Sequence, residues 1–185
     1  MSFLRFTAIS MFSLATARAQ VVIQPSVASF SSQNPYGISR EAARTRDASG
    51  LANGPSGVAG AADATHGNAA DGNMWTTRGN TAAPADTNPA ITFDLGEAIE
   101  LQTIRIWNYN ERINSTSTFT QAGAKDIRVS TSPDNLTFTT FGDIRIAQGG
   151  ATTTEPAQDF SAAAAAIRYV RFQILSNWDG ASFWG

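Results

Sequence analysis

The chain has 185 residues with a formal net charge of −2, no cysteine and a single histidine. This composition excludes disulfide frameworks, thiol nucleophiles, cysteine-ligated zinc or iron–sulfur centres, and any site that needs two imidazoles. The weak charge also argues against nucleic acid as a partner, because phosphate recognition requires a basic surface. Apolar residues make up 42% of the chain, so we expect a packed core rather than disorder.

Residues 1–19 have the pattern of a secretory signal peptide. Arg5 precedes an apolar run, and Ala17-Arg18-Ala19 forms an A-x-A cleavage motif. The run is shorter than the roughly 20 apolar residues that cross a bilayer. We therefore predict a signal peptide over 1–19, a single mature domain over 20–185, and export to the extracellular space or the cell surface.

The N-terminal part of the mature chain is predicted to be rich in loops. Residues 21–32 have the composition of a strand, and the proline within them suits a sheet edge or a bend. Residues 34–89 are rich in Gly, Ala, Asn, Asp and Thr, which predicts long loops with one helical turn within 39–46.

From Ile91 onward, apolar and polar residues alternate in short runs separated by Gly, Pro, Asn or Asp. Ala162–Ala166 is predicted to be a connection, and Gly96 a turn. The alternation of apolar and polar residues predicts one antiparallel all-β domain, a jelly-roll or sandwich of about eight strands. The predicted strands include residues 91–95, 101–109, 127–130, 138–146 and 170–174.

Three arginines lie on the polar phase of these strands. Arg105, Arg128 and Arg171 predict a solvated sheet face on which long side chains cover apolar surface. A row of arginines that binds an anion is the alternative.

Several motifs occur in a characteristic order, from Ser49-Gly50-Leu51, His66 and Met74-Trp75 to the strand Ile91–Gly96. The later ones are Ile104–Glu111, Gly123–Ser130, Ser132–Asn135, Arg168–Phe172 and Ser176–Gly180. Together these residues, from about Val21 to Gly185, resemble a discoidin domain, also called the coagulation factor five/eight type C domain. The resemblance implies a galactose-binding-like β-sandwich that has no catalytic activity, binds glycans through loops at one end, and in many members holds structural calcium.

The sequence departs from the family pattern in two places. It stops at Phe183-Trp184-Gly185, where a further strand with a calcium-ligating Glu normally begins, so we expect the chain to be a truncated form. The family's Asp-Gly calcium loop is split between two partial copies, at Asp47–Gly50 and Asp71–Asn73.

Oxygen-bearing residues in these glycine-rich loops are the candidate calcium ligands, because calcium takes carboxylate, carbonyl and amide oxygens. Ordinary Asp-Gly turn chemistry is the alternative. The predicted metal residues are Asp47, Asp71, Asn73 and Thr76.

A sugar site needs an aromatic surface and a few planar polar groups. For the tryptophans the alternative is anchoring of loops, and for residues 110–112 it is a solvated loop. The candidates at predicted loop ends are Trp75, Asn110, Glu111, Arg112, Trp178 and Asp179.

The remaining chemistry-bearing residues give weaker signals. His66 has no second histidine, so a hydrogen bond that orders a loop is expected rather than zinc. The sequence contains no Gly-x-Ser-x-Gly motif of a serine nucleophile. A pair of carboxyl groups for glycoside hydrolysis remains an alternative, because several acidic residues are present.

We therefore predict a secreted, non-catalytic carbohydrate-binding module that attaches to extracellular or cell-surface glycans, with calcium as a structural cofactor. The alternatives are a protein-adhesion or surface-assembly module without a sugar site, and a hydrolase. A membrane is the least supported partner, since Lys125 is the only lysine and few basic residues flank apolar loop positions.

Overall fold

The computed structural model describes residues 22–35, 40–46, 50–52, 64–69, 73–79 and 84–180. Among them, the only helical segments are two 3-10 turns, Ala42–Thr45 and Thr120–Ala122. The predicted all-β fold and the short helical turn within 39–46 are confirmed. The strands are β1 (Ser26–Phe30), β2 (Leu51–Ala52), β3 (Thr65–His66), β4 (Ala90–Ile106), β5 (Ala124–Ser132), β6 (Thr139–Arg145), β7 (Glu155–Pro156) and β8 (Gln158–Asn177).

All strand pairs are antiparallel. Five strands pair in the order β1-β4-β8-β5-β6, and the short strands β2, β3 and β7 form a small three-stranded sheet. The two longest strands, β4 and β8, pair along most of their length, from Ala90↔Gln173 to Ile106↔Gln158. They form the central ribbon of the fold.

This ribbon folds back on itself. Asn108, just past the end of β4, donates a hydrogen bond of 2.8 Å to the carbonyl of Ala124, where β5 begins. Pro89, just before β4, accepts one of 2.9 Å from Ile174 near the end of β8. Both ends of β4 therefore lie at the same end of the molecule, and the bend falls where the β4–β8 register is irregular, between Asp94 and Ile99.

The bend creates the two layers of the sandwich. One layer contains β1, the first half of β4, the second half of β8, β5 and β6, while the other contains the remaining halves of β4 and β8. One buried cluster joins Ile104 and Ala162 of the second layer to Ile127, Val129 and Val170 of the first. Burial of these apolar side chains between the layers is the main stabilising contribution to such a sandwich.

Two predictions about this ribbon are wrong. Gly96 does not separate two strands but lies inside β4, where it adopts a φ of +89° at the bend. Ala162–Ala166 is not a connection but part of β8, since Ala164 pairs with Leu101. Alanine has low strand propensity, but Ala162 is only 1% exposed within the core cluster, and this burial favours the strand.

The three sheet arginines have partners on their own surface. Arg105 and Arg128 each form a two-bond ion pair with an aspartate on the neighbouring strand, at 2.7 to 2.9 Å. The guanidinium of Arg171 lies 3.7 Å from the centre of the Phe138 ring. These contacts fit the predicted polar sheet face rather than a row of arginines that binds an anion.

An ion pair at the bend makes stability depend on pH. Arg168 donates two hydrogen bonds to Asp94, and Gly96 donates a third, which together lower the pKa of Asp94 from 3.8 to about 2. Because the folded pKa is lowered, the stabilisation is fully present above pH 3.8 and is lost as the pH falls through 2. We expect about 1 kcal/mol rather than the about 2.5 kcal/mol of the full shift, because solvent screens a partly exposed pair.

Asp94→Asn should therefore lower the free energy of unfolding by this amount at pH 7 and by much less at pH 2, as measured by urea titration. Glu97→Gln, at an exposed position in the same bend, is the control and should leave the difference between the two pH values unchanged. Equal losses for Asp94→Asn at both pH values would contradict the assignment.

Candidate functional site

The long connections of the sandwich meet at one end, which we call the loop end. It comprises residues 31–35, 73–79, 107–123, 146–157 and 178–180. Asn108 joins two of these regions, because its side-chain amide donates to the carbonyls of Ala124 and Ala147. The backbone amide of Trp178 donates to Gly123 at 3.3 Å and brings in the segment after β8. The opposite end carries the turn at 133–138 and the bend of the ribbon.

Asn110 holds the loop end together from inside. Its side chain is fully buried, and its amide donates to the carbonyls of Gly67 at 3.1 Å and Thr152 at 2.8 Å. Its side-chain oxygen accepts a hydrogen bond of 2.6 Å from the backbone amide of Ala151. Asn110 was predicted to contact the ligand; in the structure its polar groups are engaged with three loop segments, so its contribution is to position them.

Next to Asn110, three side chains form what we call the Arg40–Tyr109–Glu111 cluster. Arg40 donates to one oxygen of Glu111 at 3.0 Å and to the Tyr109 hydroxyl at 3.2 Å, and that hydroxyl donates to the other oxygen of Glu111. The side chains of Arg40 and Glu111 are 19% and 16% exposed, so part of each is accessible. Burial and the hydrogen bond to Glu111 raise the pKa of Tyr109 well above its usual range, which keeps the hydroxyl protonated.

The sequence predicts Glu111 as a ligand residue but does not predict its two partners. Arg40 lies 71 residues before Glu111, within the predicted helical turn of a loop-rich region that gave no sign of a site. Tyr109 was assigned to the end of a strand, and no local pattern distinguishes it from a core aromatic residue. The signal that could have found it is its spacing of two residues from Glu111, which places both side chains on the same side of an extended segment.

Arg112 shapes a hairpin beside this cluster. Its guanidinium donates to the carbonyls of Asn114 at 3.1 Å and Ser115 at 3.0 Å, and the backbone of Arg112 bridges to Thr118. The hairpin exposes two apolar side chains, Ile113 at 51% and Phe119 at 39%. Arg112 thus donates hydrogen bonds within its own loop, although it remains exposed at the loop end.

Trp178 and Asp179 also lie at the loop end. Trp178 is partly exposed, and the Lys125 ammonium lies 5.1 Å from the centre of its ring. The indole N–H of Trp178 is buried and has no hydrogen-bond partner among the residues that the structure describes. Asp179 is exposed in the turn that the side chain of Asn177 closes through Gly180.

Trp75 has a different environment from Trp178. Its indole N–H donates to the carbonyl of Ser32 at 3.1 Å, and its ring packs against the buried cluster of Ala42, Ile91 and Phe93. Trp75 therefore anchors a loop, which is the alternative that the sequence offered to a role in ligand binding. The structure therefore brings all six predicted ligand residues to one end, where Asn110 is buried and Trp75 is partly exposed.

The predicted calcium residues are only partly covered by the structure. Asp47 and Asp71 lie outside the described residues, and the Asn73 amide donates to the carbonyl of Ala69 at 3.0 Å. Thr76 is 5% exposed, and its hydroxyl oxygen has no hydrogen-bond partner in the described part of the chain. An unpartnered buried oxygen suits a hard cation, but within the described ranges no three acidic, histidine or cysteine side chains group together.

His66 orders the loops as predicted. It is 6% exposed, with one ring nitrogen 2.6 Å from the carbonyl of Gly67 and the other 3.3 Å from that of Asn73. These contacts connect β3 to the loop that carries Trp75. The expected loop-ordering hydrogen bond is confirmed.

A comparison of the sequence with protein-family models identifies the family to which this chain belongs. Residues 47–185 match the F5/8 type C domain, and the chain belongs to this family. The discoidin resemblance of the sequence is thereby confirmed. Comparison with curated protein sequences gives no match.

A solved structure with a TM-score above 0.5 has the same fold at low sequence identity. The C-terminal domain of a chitobiase from Bacteroides fragilis aligns with a TM-score of 0.51 and 15% identity, over 86% of this chain and 88% of that one. A putative chitobiase fragment from Bacteroides thetaiotaomicron gives 0.49 and 16%, over 92% and 90%. CBM32-3 from a family 31 glycoside hydrolase of Clostridium perfringens gives 0.43 and 20%, over 60% and 69%.

Within the described ranges, no helix has the length and apolar character needed to cross a membrane.

Proposed function

We propose that this protein is an exported, non-catalytic module that binds glycans through its loop end. The observation that carries the proposal is the Arg40–Tyr109–Glu111 cluster, which holds planar polar groups in fixed positions at the accessible end of an F5/8 type C domain. Fixed planar donors and acceptors suit sugar hydroxyls, whose directions are set by the ring. Glycan binding through this end attaches the protein to extracellular or cell-surface polysaccharide.

The cluster has hydrogen-bonding capacity left for a ligand. The carboxylate of Glu111 can accept about four hydrogen bonds, and it accepts one from Arg40 and one from Tyr109. Trp178, at the same end, supplies a partly exposed aromatic ring for the apolar face of a sugar. Since a shallow site buries little of its ligand, we expect dissociation constants in the millimolar range for single sugars, on the order of −4 kcal/mol.

The same contacts favour binding over catalysis. Both oxygens of Glu111 are engaged by Arg40 and Tyr109, and Tyr109 stays protonated because its pKa is raised. A glycosidase needs two carboxyl groups facing each other across the scissile bond, and the contacts of this cluster include only one. Turnover of a polysaccharide that disappears in Glu111→Gln would contradict the non-catalytic assignment.

Calorimetric titration with a panel of mono- and oligosaccharides tests the proposal. We expect Glu111→Gln to weaken binding at least tenfold, because it removes a charged acceptor and disturbs Arg40. Glu97→Gln, at the opposite end of the sandwich, is the matched control and should bind like the wild type. Absence of binding across the panel, or equal effects of the two substitutions, would overturn the glycan proposal.

We also propose that calcium supports the loop end, with Asp47, Asp71, Asn73 and Thr76 as the ligands. The unpartnered hydroxyl of Thr76 is the structural feature that supports this assignment. Calcium would stabilise the loops and supply no chemistry to the ligand. Repeating the titration and thermal melting with millimolar calcium and with a chelator should show a higher melting temperature with calcium. No difference between the two conditions would remove calcium from the proposal.

A specific observation favours one further candidate, a protein-adhesion module. The hairpin beside the cluster exposes Ile113 at 51% and Phe119 at 39%, and exposed apolar residues at a loop tip suit a protein partner. The discriminating result is attachment to a surface protein that free sugars do not compete away and that Ile113→Ser abolishes.

A further inference from the structure

The strand β6 lies at one margin of the five-stranded sheet. It pairs with β5, and on its other side there is no strand partner among the residues that the structure describes. Ile146, directly after β6, donates its backbone amide to Lys125 of β5 at 2.9 Å. Since backbone groups point to alternate sides along a strand, the amides and carbonyls of Asp143 and Arg145 point away from β5. These groups form an edge that can pair with another strand.

The outer face of this edge carries alternating charges. Asp143 and Arg145 are 48% and 63% exposed, so both are accessible to a neighbour. Asp143 faces Arg128 of β5 with a contact of 2.9 Å, and Arg145 faces Asp126 with one of 3.1 Å. The charges therefore change sign both along β6 and across the pair of strands. An added strand fits this face only if it continues the alternation.

The inner face of the same edge is apolar. Ile144 lies between Asp143 and Arg145 in the chain, so its side chain points to the opposite face. There it faces Ile127 of β5 and packs against the buried cluster of the core. Ile144 is only partly buried at this margin of the sheet. An added strand with an apolar residue opposite Ile144 removes the remaining exposure, which is favourable.

We propose that β6 pairs with β6 of a second copy of this chain, antiparallel, about a twofold axis at Ile144. In this register Asp143 faces Arg145 of the second copy, and Arg145 faces its Asp143. The outward backbone groups of these residues form four hydrogen bonds across the axis, because they become the hydrogen-bonded pairs of the antiparallel ladder. One continuous sheet then extends through both copies.

Both faces of the edge are complementary in this register. On the outer face, each row of charges alternates in sign across four strands, in the order Asp126, Arg145, and then Asp143 and Arg128 of the second copy. On the inner face, Ile144 meets its own counterpart at the axis. An axis at Asp143 or Arg145 would instead bring two like charges face to face, which is unfavourable. A pattern that complements itself selects a second copy over an unrelated strand.

The two loop ends of this dimer point in opposite directions. The strand β6 runs toward the loop end, which it reaches at residue 146, and antiparallel pairing reverses the direction of the second copy. The dimer therefore presents its two glycan sites at opposite ends, which suits it to link two polysaccharide chains. This consequence rests on the proposed function, whereas the dimer itself does not.

Single-cysteine cross-linking tests the position of the axis, since the chain has no native cysteine. In Ile144→Cys the two introduced thiols face each other, and Cα atoms about 4.5 Å apart allow a disulfide. Thr140→Cys, at an exposed position of the same strand, is the control, because its two copies lie about 26 Å apart in this register. With copper phenanthroline, Ile144→Cys should form disulfide-linked dimers at least tenfold faster. Equal rates for the two variants would overturn the proposal.

Charge reversal tests the self-complementary pattern by sedimentation equilibrium in the absence of glycan. We expect a wild-type dimer with a dissociation constant in the micromolar range, since a short edge buries less surface than a standard interface. Asp143→Arg and Arg145→Asp should each weaken dimerisation at least tenfold, because like charges then face each other across the axis. Glu97→Arg reverses an exposed charge outside β6 and should leave the dissociation constant unchanged.

An equimolar mixture of Asp143→Arg and Arg145→Asp gives the most specific result. In a mixed dimer every charge at the axis again faces an opposite one, so we expect association at least tenfold tighter than for either variant alone. Circular dichroism checks that each variant is folded. Wild-type protein that is monomeric at all concentrations, or a mixture that associates no better than its components, refutes the dimer. Neither result bears on the glycan site, because calorimetric titration measures sugar binding by a monomer equally well.

Discussion

Replacing Asn110 with alanine should lower the free energy of unfolding by about 3 kcal/mol, because it removes three hydrogen bonds at the centre of the loop end and leaves a cavity there. The substitution removes the acceptor for Ala151 and the donor to Gly67 and Thr152 in one step. Each lost hydrogen bond costs roughly 1 kcal/mol, and the cavity adds to this. Urea unfolding followed by circular dichroism measures the change.

Asn114→Ala is the control for this experiment. Asn114 is also an asparagine of the 107–123 connection, but it is exposed and caps only its own hairpin through Thr116 and Ser117. We expect it to cost less than 1 kcal/mol, as exposed caps do. If the two substitutions cost the same, Asn110 does not hold the loop segments together.

Gly149→Ala should also be strongly destabilising, although it adds a single methyl group. A side-chain carbon at this position would lie 2.5 Å from the carbonyl oxygen of Tyr109 and 3.1 Å from the α-carbon of Asn110. Both neighbours are backbone atoms next to Glu111, so the 107–123 connection would have to shift. We expect a loss of about 3 kcal/mol in stability and, because the cluster moves, weaker glycan binding as well.

Gly142→Ala gives a matched comparison, because an added side-chain carbon there meets no atom within 4 Å. Its stability should change by less than about 0.5 kcal/mol or rise slightly, as for other glycines in unstrained positions. Thermal melting of both variants, with calorimetric titration of the same samples, separates the steric effect from a general effect of replacing glycine. A Gly149→Ala variant with wild-type stability and binding would refute the close approach.

Much of the fold follows from local pattern. Alternation in runs such as Ile127–Ser130 marks half-buried strands because the side-chain period of a strand is two, and the order of motifs indicated the family. The continuity of β4 and β8 does not follow in this way. Gly96 and the alanines of 162–166 have the propensities of turns and helices, and only pairing between the two bent strands overrides those preferences.

The candidate site was less accessible to sequence reasoning. Glu111, Trp178 and Asp179 were predicted to lie at the loop end because they follow strands that end at the same side of the sandwich, and the structure places them there. The burial of Asn110 and the salt bridge of Arg40 to Glu111 depend on loops from distant parts of the chain. No local periodicity encodes such contacts, so they required the assembled tertiary structure.

The folded-back ribbon couples the unfolding of the two layers. Since β4 and β8 each belong to both layers, neither layer can open without breaking hydrogen bonds that the other one shares. Local opening is therefore confined to the loops and the small sheet, and amide protons of both layers should exchange with solvent in one cooperative event. The loop end can therefore open locally while both layers stay folded.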